Sequence, residues 1–203
     1  MFKNKLKGKF IALEGLDGAG GSTQASLLHH WFKKQKKDVW LTQEPTNNVI
    51  GSLIRGYLTG DWKTPSAKCL QLLFASDRAN HLEKEIIPRL EKGIHVITDR
   101  YFLSSLAYGS LEIEDIDWLY QINSQFLLPD LTILLNVSPK TCLKRIQENR
   151  VGLELFEDEE RLRAVWKTYE TLSKKYPDIK VIDGEKNEDE IFEKIRDEVK
   201  KIV

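Results

Sequence analysis

Gly15-Leu16-Asp17-Gly18-Ala19-Gly20-Gly21-Ser22-Thr23-Gln24 is the stretch on which the fold of this 203-residue chain turns. An apolar run, Phe10–Leu13, precedes it, and a helix-period pattern, Ser22–Gln35, follows. Four glycines, at 15, 18, 20 and 21, fall within seven residues. Glycine is costly to order, so such a cluster calls for a reason. One reading is a ligand-free strand-to-helix turn. The other is a phosphate cradle, in which successive backbone N–H groups turn toward one point. The positive end of the following helix dipole adds to their pull. Position between a buried strand and a helix favours the cradle. The Walker A pattern G-x-x-x-x-G-K-[ST] is met at Gly15, Gly20 and Ser22, but Gly21 stands where Lys belongs. The phosphate-binding set is then Gly15, Asp17, Gly18, Ala19, Gly20, Gly21, Ser22 and Thr23, with the Ser22 hydroxyl within reach of a Mg²⁺. Backbone amides bind; the lysine mainly neutralises charge on the transferring group. Loss of one such preorganised donor costs on the order of 3 kcal/mol in a transition state, roughly a hundredfold in rate.

Outward from this loop, β-rich runs alternate with longer helical ones. The expected strands are Phe10–Leu13, Asp38–Thr42, Ile94–Thr98, Leu131–Val137 and Ile179–Ile182. The expected helices are Ser22–Gln35, Val49–Leu58, Ser66–Lys92, Ser104–Ser110, Ile116–Leu127, Pro139–Gln147, Asp158–Lys175 and Glu188–Ile202. Alternation of this kind predicts an α/β fold, a parallel sheet covered by helices. The length suits one domain, 1–203. Ligands of such sheets sit beyond the carboxyl ends of the strands. The informative positions therefore follow Leu13, Thr42, Thr98 and Val137.

Composition narrows the partners. Lys plus Arg and Asp plus Glu both number 31, so the formal net charge is zero. A duplex nucleic-acid binder needs a basic excess, and none is present. No apolar run reaches the ~18 residues of a membrane span. The basic start, Met1-Phe2-Lys3-Asn4-Lys5, has no apolar h-region behind it, because Glu14 and Asp17 interrupt the candidate. A cytoplasmic protein is expected. Cys69 and Cys142 both lie in apolar-periodic segments and read as buried core thiols.

Beyond the first loop, the third strand ends in Asp99-Arg100-Tyr101. An apolar strand ending in Asp is the Walker B arrangement, with its carboxylate toward the metal. Asp99 as a helix N-cap is the competing reading; the upstream loop favours the metal. Phe74 and Arg78 are four residues apart and share a helix face. A ring and a guanidinium suit a planar base. Alone, the pair reads more simply as a core Phe beside a surface Arg bonded to Asp77 or Glu83. Arg150 sits beside Gly152 in a polar stretch and suits either a closing lid or a solvated helix end. A GTPase is disfavoured, since no N-K-x-D segment is present.

Together these segments resemble the thymidylate kinase family over nearly the whole chain. The resemblance rests on residues 15–24, Gln43-Glu44-Pro45, Phe74-Ala75-Ser76-Asp77-Arg78, Asp99 to Tyr108, and Pro129 to Val137. It implies a P-loop NTPase fold, three-layer α/β/α with a five-stranded parallel sheet and a lid segment at about 147–157. It implies ATP-dependent phosphorylation of dTMP to dTDP with Mg²⁺, and a homodimer. By resemblance, Asp17 contacts the sugar 3′-hydroxyl, Phe74 stacks on thymine and Arg78 meets its O4. Arg100 holds the acceptor phosphate, while Ser104 and Tyr108 crowd the 2′ position. Ser22 and Asp99 attend the metal. Catalysis falls to Asp99, Arg100 and Arg150, with Lys144 or Arg145 as substitutes for the lost lysine. The sequence departs from the pattern at four places. Gly21 replaces Lys, Gln43 replaces the Arg of R-E-P at the acceptor phosphate, Asn136 replaces an Asp, and Gly109 replaces a Gln or Thr that contacts the base. Two rival functions follow: a nucleotide-binding paralogue with weak or no kinase activity, and a kinase for another pyrimidine nucleoside monophosphate.

Overall fold

The computed structural model of the chain describes residues 1–63, 65–149 and 159–203. Five strands form one parallel sheet: β1 (Phe10–Gly15), β2 (Val39–Gln43), β3 (His95–Asp99), β4 (Leu131–Asn136) and β5 (Ile179–Asp183), in the order β2-β3-β1-β4-β5. β1 is central, and all six of its residues are buried. A strand covered on both faces needs a continuous apolar run rather than an alternating one, which is how Phe10-Ile11-Ala12-Leu13 reads. β4 repeats this with Leu131 to Leu135. In the register, Leu13 lies opposite Asp99, and Gln43 also lies opposite Asp99. The carboxyl ends of the three strands are therefore level, and the loops that follow them emerge side by side.

The helices are α1 (Gly21–Lys34), α2 (Val49–Leu58), α3 (Ala67–His81), α4 (Phe102–Gly109), α5 (Ile116–Asn123), α6 (Pro139–Asn149), α7 (Glu159–Lys175) and α8 (Glu188–Val199). α1 packs with α8, and α4 with α7. The architecture expected from the alternating pattern is present.

Three details differ from the expectation. The long helix 66–92 is not continuous: a π-helical stretch, Leu82–Ile86, separates α3 from a short helical end at Ile87–Glu91. Pro88 explains the break, because it has no N–H to bond four residues back and its ring crowds that carbonyl. The helix expected to reach Leu127 ends at Asn123, and Leu127–Leu128 instead pair in parallel with Phe2–Lys3. Cys69 is exposed on α3, whereas Cys142 is buried as expected. The expected lid, with Arg150, falls almost wholly outside the described residues.

Candidate active site

The first site is a cavity of about 510 Å³ over the glycine loop, with Asp99, Arg100, Arg145, Lys186 and Glu188 on its walls. Its floor follows from the glycines. Gly18 and Gly20 adopt φ of 81° and 97°, left-handed values that L side chains resist. At Gly18 a Cβ would also lie 2.5 Å from the Cys142 carbonyl of α6, so the loop can pass under that helix only as glycine. Gly20 caps α1 without any side-chain hydrogen bond, and the first turn of α1 holds no acidic residue. The first amides of α1 therefore keep their capacity for an anion.

Ser22 and Asp99 meet at this floor, the Ser22 hydroxyl donating to Asp99 Oδ2. Helix α4 has Tyr101 at its N-cap position, so Asp99 is not spent as a cap. Among the described residues, no group of three or more His, Cys, Asp or Glu converges as a metal centre. One hydroxyl and one carboxylate is nevertheless the sparse set that fits Mg²⁺ arriving on phosphates, since this ion keeps several waters and takes one or two carboxylates.

Arg100 stands between two cavities. Its φ is 70°, a strained value for a side-chain-bearing residue, of the kind found where structure serves function. The strain is held by its N–H on Leu13 O at 2.8 Å and by Thr98 Oγ1 donating to its carbonyl at 2.8 Å. Its guanidinium donates to Gly15 O (3.1 Å), Ser104 Oγ (3.0 Å) and Asp17 Oδ1. Burial alone would lower the Arg100 pKa, but Asp17, Tyr108, Tyr169 and Glu14 outweigh it and the charge is held firmly. The Asp17 N–H donates to Tyr108 Oη at 3.0 Å.

Behind Arg100 lies Glu14, which is buried. It accepts from Tyr101 N (2.9 Å), Ser104 N (3.3 Å), Ser104 Oγ (2.5 Å) and Tyr169 Oη (3.1 Å). Burial raises its pKa from 4.5 to about 7 against the lowering effect of Ser104, Arg100 and Tyr169. Glu14 thus fixes Ser104, and Ser104 fixes Arg100.

The second cavity, about 200 Å³, shares Asp17 and Arg100 with the first. Phe74, Arg78, Ser104, Ser105, Tyr108 and Gln71 line it, with Arg161 and Glu112 also on its wall. Arg78 is no surface residue: it is 1 % exposed. It donates to Glu44 Oε2 at 2.8 Å, to Ser105 Oγ at 3.0 Å and to Asn123 Oδ1. Three of its five N–H groups are used in this way. Neighbouring Asp77 accepts from Thr46 N and Thr46 Oγ1, both at 2.7 Å. His81 reaches Glu44 Oε1 (3.1 Å) and Thr42 Oγ1 (2.8 Å). One face of α3 therefore clamps the Glu44-Pro45-Thr46 loop against the sheet.

Asp17, Phe74, Arg78, Arg100, Ser104 and Tyr108 are brought together around the second cavity. The loop residues from Gly15 to Thr23, with Asp99, are brought together around the first. Gln43 lines neither and is exposed. Arg150 lies outside the described residues. Lys144 is exposed, but Arg145 lines the first cavity, donating to Gly184 O (3.1 Å) and Ala19 O (3.4 Å). Lys186 is a further cation on that wall which the sequence reading did not select. The signal is present in the sequence: Lys186 follows the fifth expected strand, Ile179–Ile182, and ligands of such sheets lie beyond strand ends. Glu185 ties this loop to α6, accepting from Ser138 N (2.7 Å) and Thr141 Oγ1 (2.9 Å). The Ser138 N–H is the main reason its pKa is lowered.

A glycine-built anion cradle at the mouth of a central parallel strand, beside a strand ending in Asp, defines a P-loop nucleotide-binding protein. Comparison with known proteins narrows the class. The thymidylate kinase family model matches residues 13–195. A probable thymidylate kinase of Thermococcus onnurineus is 43% identical over 182 residues, 86% of this chain and 89% of its own length. A probable thymidylate kinase of Pyrococcus horikoshii is 41% identical over 183 residues, 88% and 89% of the two chains. A thymidylate kinase of Rickettsia typhi is 34% identical over 183 residues, 86% and 88%. The chain belongs to the thymidylate kinase family.

Proposed function

We propose that this protein is an ATP-dependent dTMP kinase, moving the γ-phosphoryl group of ATP onto the 5′-phosphate of dTMP to give dTDP and ADP. The observation that carries the reading is the meeting of two cavities at Arg100 and Asp17. Phosphoryl transfer asks for little covalent chemistry from the protein; it needs two phosphates aligned and their charge neutralised. The first cavity suits the polyphosphate, held by loop amides between Gly18 and Thr23 other than that of Ala19, which bonds Leu16 O. The second suits the nucleoside monophosphate, with its base beside Phe74 and Arg78 and its phosphate toward Arg100. Arg100 is then the cation between donor and acceptor. Ser22 and Asp99 would hold Mg²⁺, which supplies charge neutralisation on the donor phosphates when bound. Ser104 and Tyr108, at the wall near Asp17, suit exclusion of a 2′-hydroxyl, while Asp17 suits the 3′-hydroxyl.

The missing lysine lowers the rate without removing the site. Arg145 and Lys186 line the first cavity and are placed to supply part of the lost charge. Chromatography of an ATP and dTMP mixture tests the reading: dTDP should accumulate in proportion to enzyme. ADP release no faster with dTMP than without it would sink the proposal.

The same reading includes a cytoplasmic homodimer. No described helix is long and apolar enough to cross a membrane. Val49 on α2 and Leu72 on α3 are exposed apolar side chains that a partner chain suits. Light scattering is expected to give twice the 23.5 kDa chain mass; a mass near one chain contradicts it.

A further inference from the structure

Gln71 lies three residues before Phe74 on α3 and lines the same cavity. It is only 7 % exposed, and its Oε1 has no hydrogen-bond partner among the described residues. A buried polar atom left unpaired is costly, so it points to a ligand that completes it. Against the Gln71 carboxamide packs Gly109, buried at the end of α4. A Cβ added to Gly109 would lie 2.9 Å from Gln71 Cδ, 3.0 Å from Nε2 and 3.1 Å from Oε1. The carboxamide therefore occupies the space that a side chain at 109 would take. The two positions are coupled: a side chain at 109 displaces the amide, and a smaller residue at 71 leaves a hole beside Gly109.

We infer that Gln71 is a specificity-determining residue for the acceptor base, replacing from α3 the polar group that Gly109 does not offer from α4. This rests on the assignment of the second cavity to the acceptor. The base class follows from hydrogen-bond complementarity. Thymine and uracil present O4 as acceptor and N3–H as donor. Arg78 has only donors and, with three of its five N–H groups used, retains two for O4. Gln71 Oε1 then accepts N3–H from a ring stacked on Phe74. Cytosine carries a 4-amino group and an unprotonated N3. The carboxamide can turn to serve that N3, but the amino group would face the Arg78 N–H groups, donor against donor. Gln71 thus reads the N3 position, Arg78 reads position 4, and their combination selects a pyrimidine imide.

Steady-state kinetics of the wild-type chain, Gln71→Leu, Gln71→Ala and the double variant Gln71→Ala with Gly109→Gln test this, with dTMP and N3-methyl-dTMP as acceptors. Methylation of N3 removes the donor and puts bulk against the carboxamide. Wild type should prefer dTMP by at least about a hundredfold in kcat/KM, since a site built for a hydrogen bond rejects an analogue that lacks it. Gln71→Leu keeps the bulk and loses the acceptor. It should raise the KM for dTMP about tenfold, the scale of one hydrogen bond near 1.4 kcal/mol. It should narrow the dTMP to N3-methyl-dTMP ratio to within about tenfold, with the KM for ATP unchanged. The double variant should regain a preference for dTMP, now read from α4. Because the ratio is taken within one variant, partial loss of folding cancels from it. An unchanged ratio in both single variants, with wild-type activity on dTMP intact, overturns the inference and leaves the kinase reading standing. No activity of the wild type on dTMP overturns the acceptor assignment and this inference with it.

Discussion

Gly21 leaves the phosphate loop without its usual ammonium group, and the space around it says what a lysine would meet. A Cβ at position 21 would sit 3.0 Å from Asp99 Oδ1, so the carboxylate must give by a few tenths of an ångström. That side chain is a half-buried partner of Ser22 rather than packed core, so it can give. Gly21→Lys is expected to raise kcat, by up to roughly a hundredfold if neither Arg145 nor Lys186 makes up the charge. A kcat that stays level or falls would show that the position is already served. Arg78 makes a different point. Its role looked weak in the sequence because a helix pattern cannot tell which distant loop an Arg meets. The structure places Glu44, Ser105 and Asn123 around it, all more than twenty residues away in the chain. Arg78→Met should cost about 3–5 kcal/mol by leaving Glu44 buried with only His81 beside it, read as a lowered urea midpoint. Glu14 was not selected at all, because a Glu within an apolar strand carries no local signal of its partners. Its pKa near 7 exceeds the ordinary 4.5, so folding favours its protonated form. That contribution is fully present below pH 4.5 and is lost as pH rises through 7. A gap of this size corresponds to about 3 kcal/mol. The stability difference between wild type and Glu14→Gln should therefore fall between pH 5 and pH 8 in urea titrations. A constant difference would mean that Glu14 stays ionised throughout.

At the scale of elements, strand ends and helix starts carried most of the legible information. β1, the glycine loop and α1 were readable because buried parallel strands are continuous apolar runs and glycine clusters have few other causes. The π-helical stretch before Pro88 was not drawn, although the proline that causes it was in plain view. The pairing of Leu127–Leu128 with Phe2–Lys3 was not legible, since two-residue strands have no period. The β5–α8 loop is the element whose function remained hidden. It carries Lys186 to the first cavity, and Glu185 fastens it to α6, which also carries Arg145. Glu185→Ala should loosen this fastening. The KM for ATP is expected to rise several-fold while the KM for dTMP holds, because α6 and the loop border only the first cavity. Equal changes in both would contradict that division.

Across the whole molecule, the sheet order puts the P-loop strand beside the strand that ends in Asp99, so the two cavities open side by side. The strained Arg100 and its partner Asp17 form the wall they share. Sequence alone supplied the strand count of the main sheet and most of the residues that line the two cavities; only the fold could say that the cavities meet. The most direct measurement uses a bisubstrate ligand, adenosine and thymidine joined through five phosphates, titrated calorimetrically into wild-type protein. The account predicts one ligand per chain, bound at least tenfold more tightly than either ADP or dTMP alone, since one molecule fills both cavities. An affinity no better than that of ADP would contradict it, because the two cavities would then not serve the two ends of one transfer.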